Sequence, residues 1–94
     1  MPELKLVAAE DKQELVLRLA RIEGQIRGIR EMIEREESCE RVAQQLAAAR
    51  QALSKAFSQL VARTIQRNCG SGPDADPAAT AKLATIAKIL ATYG

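Results

Sequence analysis

The segment RLARIEGQIRGIREMIEREESC, from Arg18 to Cys39, decides how the rest of the chain is read. Its apolar residues belong to a longer series, Leu15, Leu19, Ile22, Ile26, Ile29 and Ile33, whose spacings alternate between four and three. That rhythm holds every member on one narrow stripe of an α-helix and matches no face of a strand. Around the stripe, Arg18, Arg21, Arg27 and Arg30 outnumber Glu23, and the segment then turns acidic through Glu31, Glu34, Glu36 and Glu37 before it ends on a thiol. The spacing predicts a helix over 10–36, preceded by a flexible arm over 1–9.

Past Cys39 the same rhythm resumes at Val42, Leu46, Ala49, Leu53, Ala56 and Leu60. Ser38 is placed to cap this second helix and Glu40 to lie in its first turn, where a carboxylate favours the positive end of the helix dipole. The second helix is therefore expected over 38–68. The stretch GSGPDAD, 70–76, breaks it. Asp76 reads as the cap and Pro77 as the first residue of a third helix over 77–92, with Leu83, Ile86, Ala87 and Leu90 on one face.

Two long helices and a short one make an all-α, three-helix subunit in a single domain of 94 residues. A chain of this size buries only about 60–65% of its unfolded surface. A hairpin with an apolar stripe on each arm encloses no core, so the stripes are expected to meet a second copy. The simplest solution is an antiparallel four-helix-bundle dimer. Gly24 and Gly28, four residues apart on one side of the first helix, suit either a close helix approach or a bend. The N-terminus lacks the pattern of a secretory signal, and no apolar run approaches the ~20 residues that span a bilayer, so a cytoplasmic location without membrane association is expected.

The net charge of +2 conceals an uneven distribution, for Arg41, Arg50, Lys55, Arg63 and Arg67 occur with no acid between Arg41 and Gly72. A basic face of this kind suits a polyanion, and a solvated surface on a structural helical interaction protein explains it as well. The chain has no histidine. That removes the commonest general base and the commonest transition-metal ligand, and with no glycine-rich phosphate loop or CxxC motif an enzyme is not expected. Cys39 and Cys69 stand at opposite ends of the second helix, roughly 45 Å apart at 1.5 Å per residue. They cannot meet within one chain, but an antiparallel dimer brings Cys39 of one copy toward Cys69 of the other. Free cysteines are often inert apolar side chains, yet a helix start is also where reactive thiols occur.

RLARIEGQIRGIREMIE resembles the first-helix motif of the copper-, nickel- and formaldehyde-responsive repressors (CsoR/RcnR/FrmR), and CERVAQQLAAARQALSKA resembles the start of their second helix without gaps. The resemblance covers roughly residues 12 to 92. It implies a three-helix subunit, an antiparallel dimer, a dimer-of-dimers tetramer, and binding to double-stranded operator DNA that is lost when an inducer reaches the cysteine site. Cys39 matches the family's first cysteine. Arg18 and Lys55 match basic positions used for DNA, with Arg21 and Arg50 beside them in the motif. The chain departs elsewhere: Thr64 stands where metal sensors place a histidine, and Asn68 where copper sensors place a second cysteine, which arrives one residue later as Cys69. Ser38 replaces a tyrosine, and Ala84 falls where an outer-shell glutamate is found.

These departures leave three inducer classes, with no resident cofactor required. The persulfide-sensing branch, which keeps two cysteines and no histidine, is matched best and implies a sulfur link from Cys39 to the partner's Cys69. One residue turns a side chain by about 100°, so Cys69 would need a local irregularity to reach that position. The formaldehyde-sensing branch implies instead a crosslink from the amine of Pro2, once Met1 is removed, to Cys39. Cu(I) held by Cys39 and Cys69 is the third, since thiolates suit that ion.

Overall fold

The computed structural model describes residues 4–68 and 77–94, and all regular structure in them is helical. Helix α1 spans Ala9–Glu34, α2 spans Cys39–Asn68 and α3 spans Pro77–Tyr93. α1 and α2 form an antiparallel hairpin, and α3 packs on α2 but not on α1. The expected cap at Asp76 lies outside the described residues. Among those described, no helix is long and apolar enough to cross a membrane.

Helix α1 ends two residues before the expected boundary at 36, and the reason is a turn motif. The amide of Glu36 donates to the carbonyl of Ile33 at 3.1 Å and that of Glu37 to the carbonyl of Met32 at 2.9 Å. These paired bonds satisfy the last carbonyls of the helix and require a left-handed residue between them, which here is Glu36 with φ 60°. Glycine usually fills such a position, so a charged residue gave no warning of the stop. The start of α2 follows the expected chemistry. Ser38 Oγ accepts from the amide of Arg41 at 3.2 Å, and its carbonyl from the amide of Val42 at 3.1 Å.

The two apolar series do not behave as single stripes. Within each, alternate members form columns seven residues apart, and the hairpin covers one column. Ile22 and Ile29, each 4% exposed, pack into the interface where Ala49 and Ala56 are also buried. Isoleucine on one helix against alanine on the other draws the helices together, and each buried isoleucine contributes about 1.5–3 kcal/mol of transfer free energy. The other column stays uncovered: Leu19, Ile26 and Ile33 on α1, and Leu46, Leu53 and Leu60 on α2, with Leu46 52% exposed. Among the described side chains of α3, Ile86 alone is buried, while Leu83 and Leu90 face solvent. A side chain added at Gly24 or Gly28 would meet nothing within 4 Å, so no close approach within the subunit calls for these glycines.

The left-handed conformation at Glu36 costs a side-chain-bearing residue on the order of 1–2 kcal/mol. Glu36→Gly is therefore expected to stabilise the protein by about 1 kcal/mol, read as a higher urea midpoint at fixed protein concentration. An unchanged or lower midpoint would contradict that account of the turn.

Candidate nucleic-acid interface and thiol site

Cys39 is the first residue of α2, and its thiol is free and exposed. Glu37 stands before it with Arg35 Nε at 3.5 Å and Arg41 Nη1 at 3.9 Å, both pairs open enough to water to contribute little stability. Cys39 also heads the uncovered column of α2, because Leu46, Leu53 and Leu60 follow it at intervals of seven. Among the described residues no group of three or more His, Cys, Asp or Glu side chains is placed to hold a metal ion. Pro2 and Cys69 lie outside the described residues.

At the far end of α2, Thr64 and Asn68 are turned back on their own helix. Thr64 Oγ1 donates to the carbonyl of Leu60 at 2.7 Å, and Asn68 Nδ2 to that of Thr64 at 2.9 Å. The extended arm, residues 4–8, crosses this end. Leu4 and Leu6 line a small cleft of about 80 Å³ with Leu60, Val61, Ile86 and Ile89, so the arm sits where α2 meets α3.

The basic residues divide between two sides of α2. Arg18 and Arg21 line an open cleft of about 330 Å³ together with Glu14, Leu17, Gln59 and Arg63. Lys55 is one turn before Gln59 and shares its side of the helix. Arg50 is nine residues from Gln59, which at 100° per residue turns it to the opposite side. The subunit thus brings Arg18 and Arg21 together, with Lys55 on the same side, and leaves Arg50 apart.

The sequence reading missed the polar seam that lines this cleft. Arg18 Nε donates to Gln59 Oε1 at 2.7 Å, and Gln59 Nε2 donates to Glu14 Oε2 at 3.2 Å. The same carboxylate oxygen accepts from Arg63 Nη2 at 2.8 Å and Nε at 3.1 Å. Further along, Asp11, 3% exposed, accepts from Arg67 Nε at 2.9 Å, with Arg63 Nε at 4.0 Å and Glu10 also reached by Arg67. The hydrogen bond that Arg67 donates to Asp11, together with the charge of that carboxylate, holds the Arg67 guanidinium above its ordinary range. A signal was present. Glu14 with Arg63, Arg18 with Gln59 and Asp11 with Arg67 are each almost equidistant from the turn at Ser38, as an antiparallel hairpin requires.

Residues 11–92 match the family model described as metal-sensitive transcriptional repressor. No curated protein matches the chain. Among solved structures, the fold is similar to a variant of the formaldehyde-responsive regulator FrmR from Salmonella enterica serovar Typhimurium, with 28% identity and a TM-score of 0.79 over 95% of this chain and 100% of that one.

A buried carboxylate stripped of its cation is far costlier than an exposed pair that is broken. Arg67→Ala is accordingly expected to lower the urea midpoint clearly, and Glu10→Ala, which removes a carboxylate 87% exposed, to leave it within error. Equal effects of the two substitutions would show that the Asp11 pair carries no special weight.

Proposed function

Because the chain belongs to the metal-sensitive transcriptional repressors, a family of DNA-binding regulators rather than enzymes, we propose that it binds operator DNA and releases it when an inducer reacts at Cys39. The observation that carries this reading is the uncovered column that Cys39 heads. Six large apolar side chains on two helices are a face for which one subunit has no cover, and a face of that size marks an interaction surface. A second copy laid antiparallel about Leu53 covers it and completes a four-helix bundle. Cys39 and Arg67 are equally far along α2 from Leu53. The pairing therefore sets Cys39 of each copy against the other copy's Thr64–Asn68 end, where the arm crosses. The uncovered Leu83 and Leu90 of α3 leave a further surface through which two dimers form a tetramer.

Arg18, Arg21 and Lys55 are assigned to phosphate contacts. Arg50, one turn from Leu53, lies near the two-fold axis of the pair and joins them through the second copy. Contacts of this kind position a protein on DNA and make binding strongly salt-dependent. The inducer class assigned is reactive sulfur, supported by a histidine-free chain whose exposed thiol is accompanied by one other. The Cys39 thiolate would take the outer sulfur of a persulfide and release the donor as a thiol. Attack by the partner's Cys69 on the Cys39 sulfur would then expel hydrogen sulfide and close a disulfide between copies. Formaldehyde is the second reading, favoured by the arm, whose Leu4 and Leu6 lie against Thr64 and its neighbours.

Gel shifts on the protein's own promoter region test the repressor. Arg18→Ala and Lys55→Ala are each expected to weaken binding and to lower the salt slope by about 0.9 for every phosphate left without its cation. Cys39→Ala is expected to bind DNA and ignore the inducer. A variant still released by persulfide, by formaldehyde and by Cu(I) would remove the thiol from the mechanism, and intact mass of the wild type after each treatment identifies the inducer. Leu53→Glu, which sets two carboxylates face to face at the two-fold axis, is expected to yield monomers in sedimentation. A tetramer in that variant would place the interface elsewhere.

A further inference from the structure

The Glu14 carboxylate lies four residues before Arg18 on the same side of α1, the arrangement in which an acid and an arginine pair most readily along a helix. They do not pair. Among the described residues no carboxylate comes within ion-pair distance of Arg18, and its one hydrogen bond is to a neutral amide, from Nε to Gln59 Oε1 at 2.7 Å. Gln59 stands between the two charges, with its oxygen toward Arg18 and its nitrogen donating to Glu14. The Glu14 oxygen that receives it is already taken twice by Arg63. An arginine presents five N–H donors in a rigid fork, and Nε supplies one of them. Holding Nε restrains the guanidinium and leaves its two terminal amino groups without a hydrogen-bond partner among the described residues, beside the cleft that Arg18 and Arg21 both line.

We propose that Gln59 is a positioning residue for DNA binding: it orients Arg18 toward the phosphate backbone and keeps Glu14 from neutralising it. The inference rests on the assignment of Arg18 to a phosphate contact. It adds that the amide sets how well the contact is made without touching DNA itself. An arginine held in advance loses less conformational freedom on binding, and one facing an amide retains the full charge that displaces counterions. Replacing the amide with an isosteric apolar side chain frees Arg18 to swing toward Glu14, while every charge in the protein remains.

The test is a double-mutant cycle on the operator, with Arg18→Ala, Gln59→Met and the pair, each checked for helicity and assembly. Gln59→Met is expected to weaken binding about three- to tenfold, the fold-change that corresponds to one hydrogen bond, and to weaken it less than twofold when Arg18 is already alanine. Gln59→Glu keeps an acceptor for Arg18 but adds a negative charge, and is expected to weaken binding and lower the salt slope by about 0.9. If Arg18→Ala binds normally, the phosphate assignment fails and the inference falls with it. If Arg18→Ala weakens binding while Gln59→Met does not, or if Gln59→Met costs the same in both backgrounds, the positioning role alone is overturned.

Discussion

A pair of helices has one mutual face, and this chain carries apolar residues for two. Everything else follows from that mismatch. The column of Ile22, Ile29, Ala49 and Ala56 closes the hairpin, and the column of Leu19, Ile26, Ile33, Leu46, Leu53 and Leu60 stays exposed on the subunit. The alternating four-and-three spacing is what separates the columns, because each seven-residue step nearly completes two turns. A wider apolar arc would have served a larger closed domain. The narrow one gives an elongated body of 58 × 27 × 21 Å that holds too little of its own surface.

The opposite edge of the hairpin is closed by charge rather than by hydrocarbon. Asp11, Glu14, Gln59, Arg63 and Arg67 form a line of hydrogen bonds from the arm toward Arg18. Its members on α2 come from the acid-free stretch, and its acids come from the beginning of α1. The excess of basic residues read from the sequence is thus partly internal: Arg63 and Arg67 meet carboxylates of the same subunit. Arg18 and Arg21 instead line the open cleft, with Lys55 on the same side of α2.

Three helices, the Ser38 cap and the apolar series on each long helix were legible because each depends on periodicity or on one local side chain. The end of α1 was not, since Glu36 adopts a conformation its residue type disfavours. Gly24 and Gly28 have open space beside them within the subunit, so their spacing answers to no contact of this hairpin. At the site, Cys39 could be placed at a helix start from the sequence, whereas Gln59 could not be singled out. A glutamine acquires meaning only when the register of the hairpin sets it between Glu14 and Arg18. The separation of Arg50 from the other basic residues likewise needed the contact between Gln59 and Arg18, which tells which side of α2 faces the cleft.

The leucines at 46, 53 and 60 bear no mark of ownership. Were a second copy to seat on them as proposed, a related protein with leucines at the same steps would compete for the same face. Discrimination must then come from the edges of the column, where Ile33 and the thiol-bearing end differ from ordinary coiled seams.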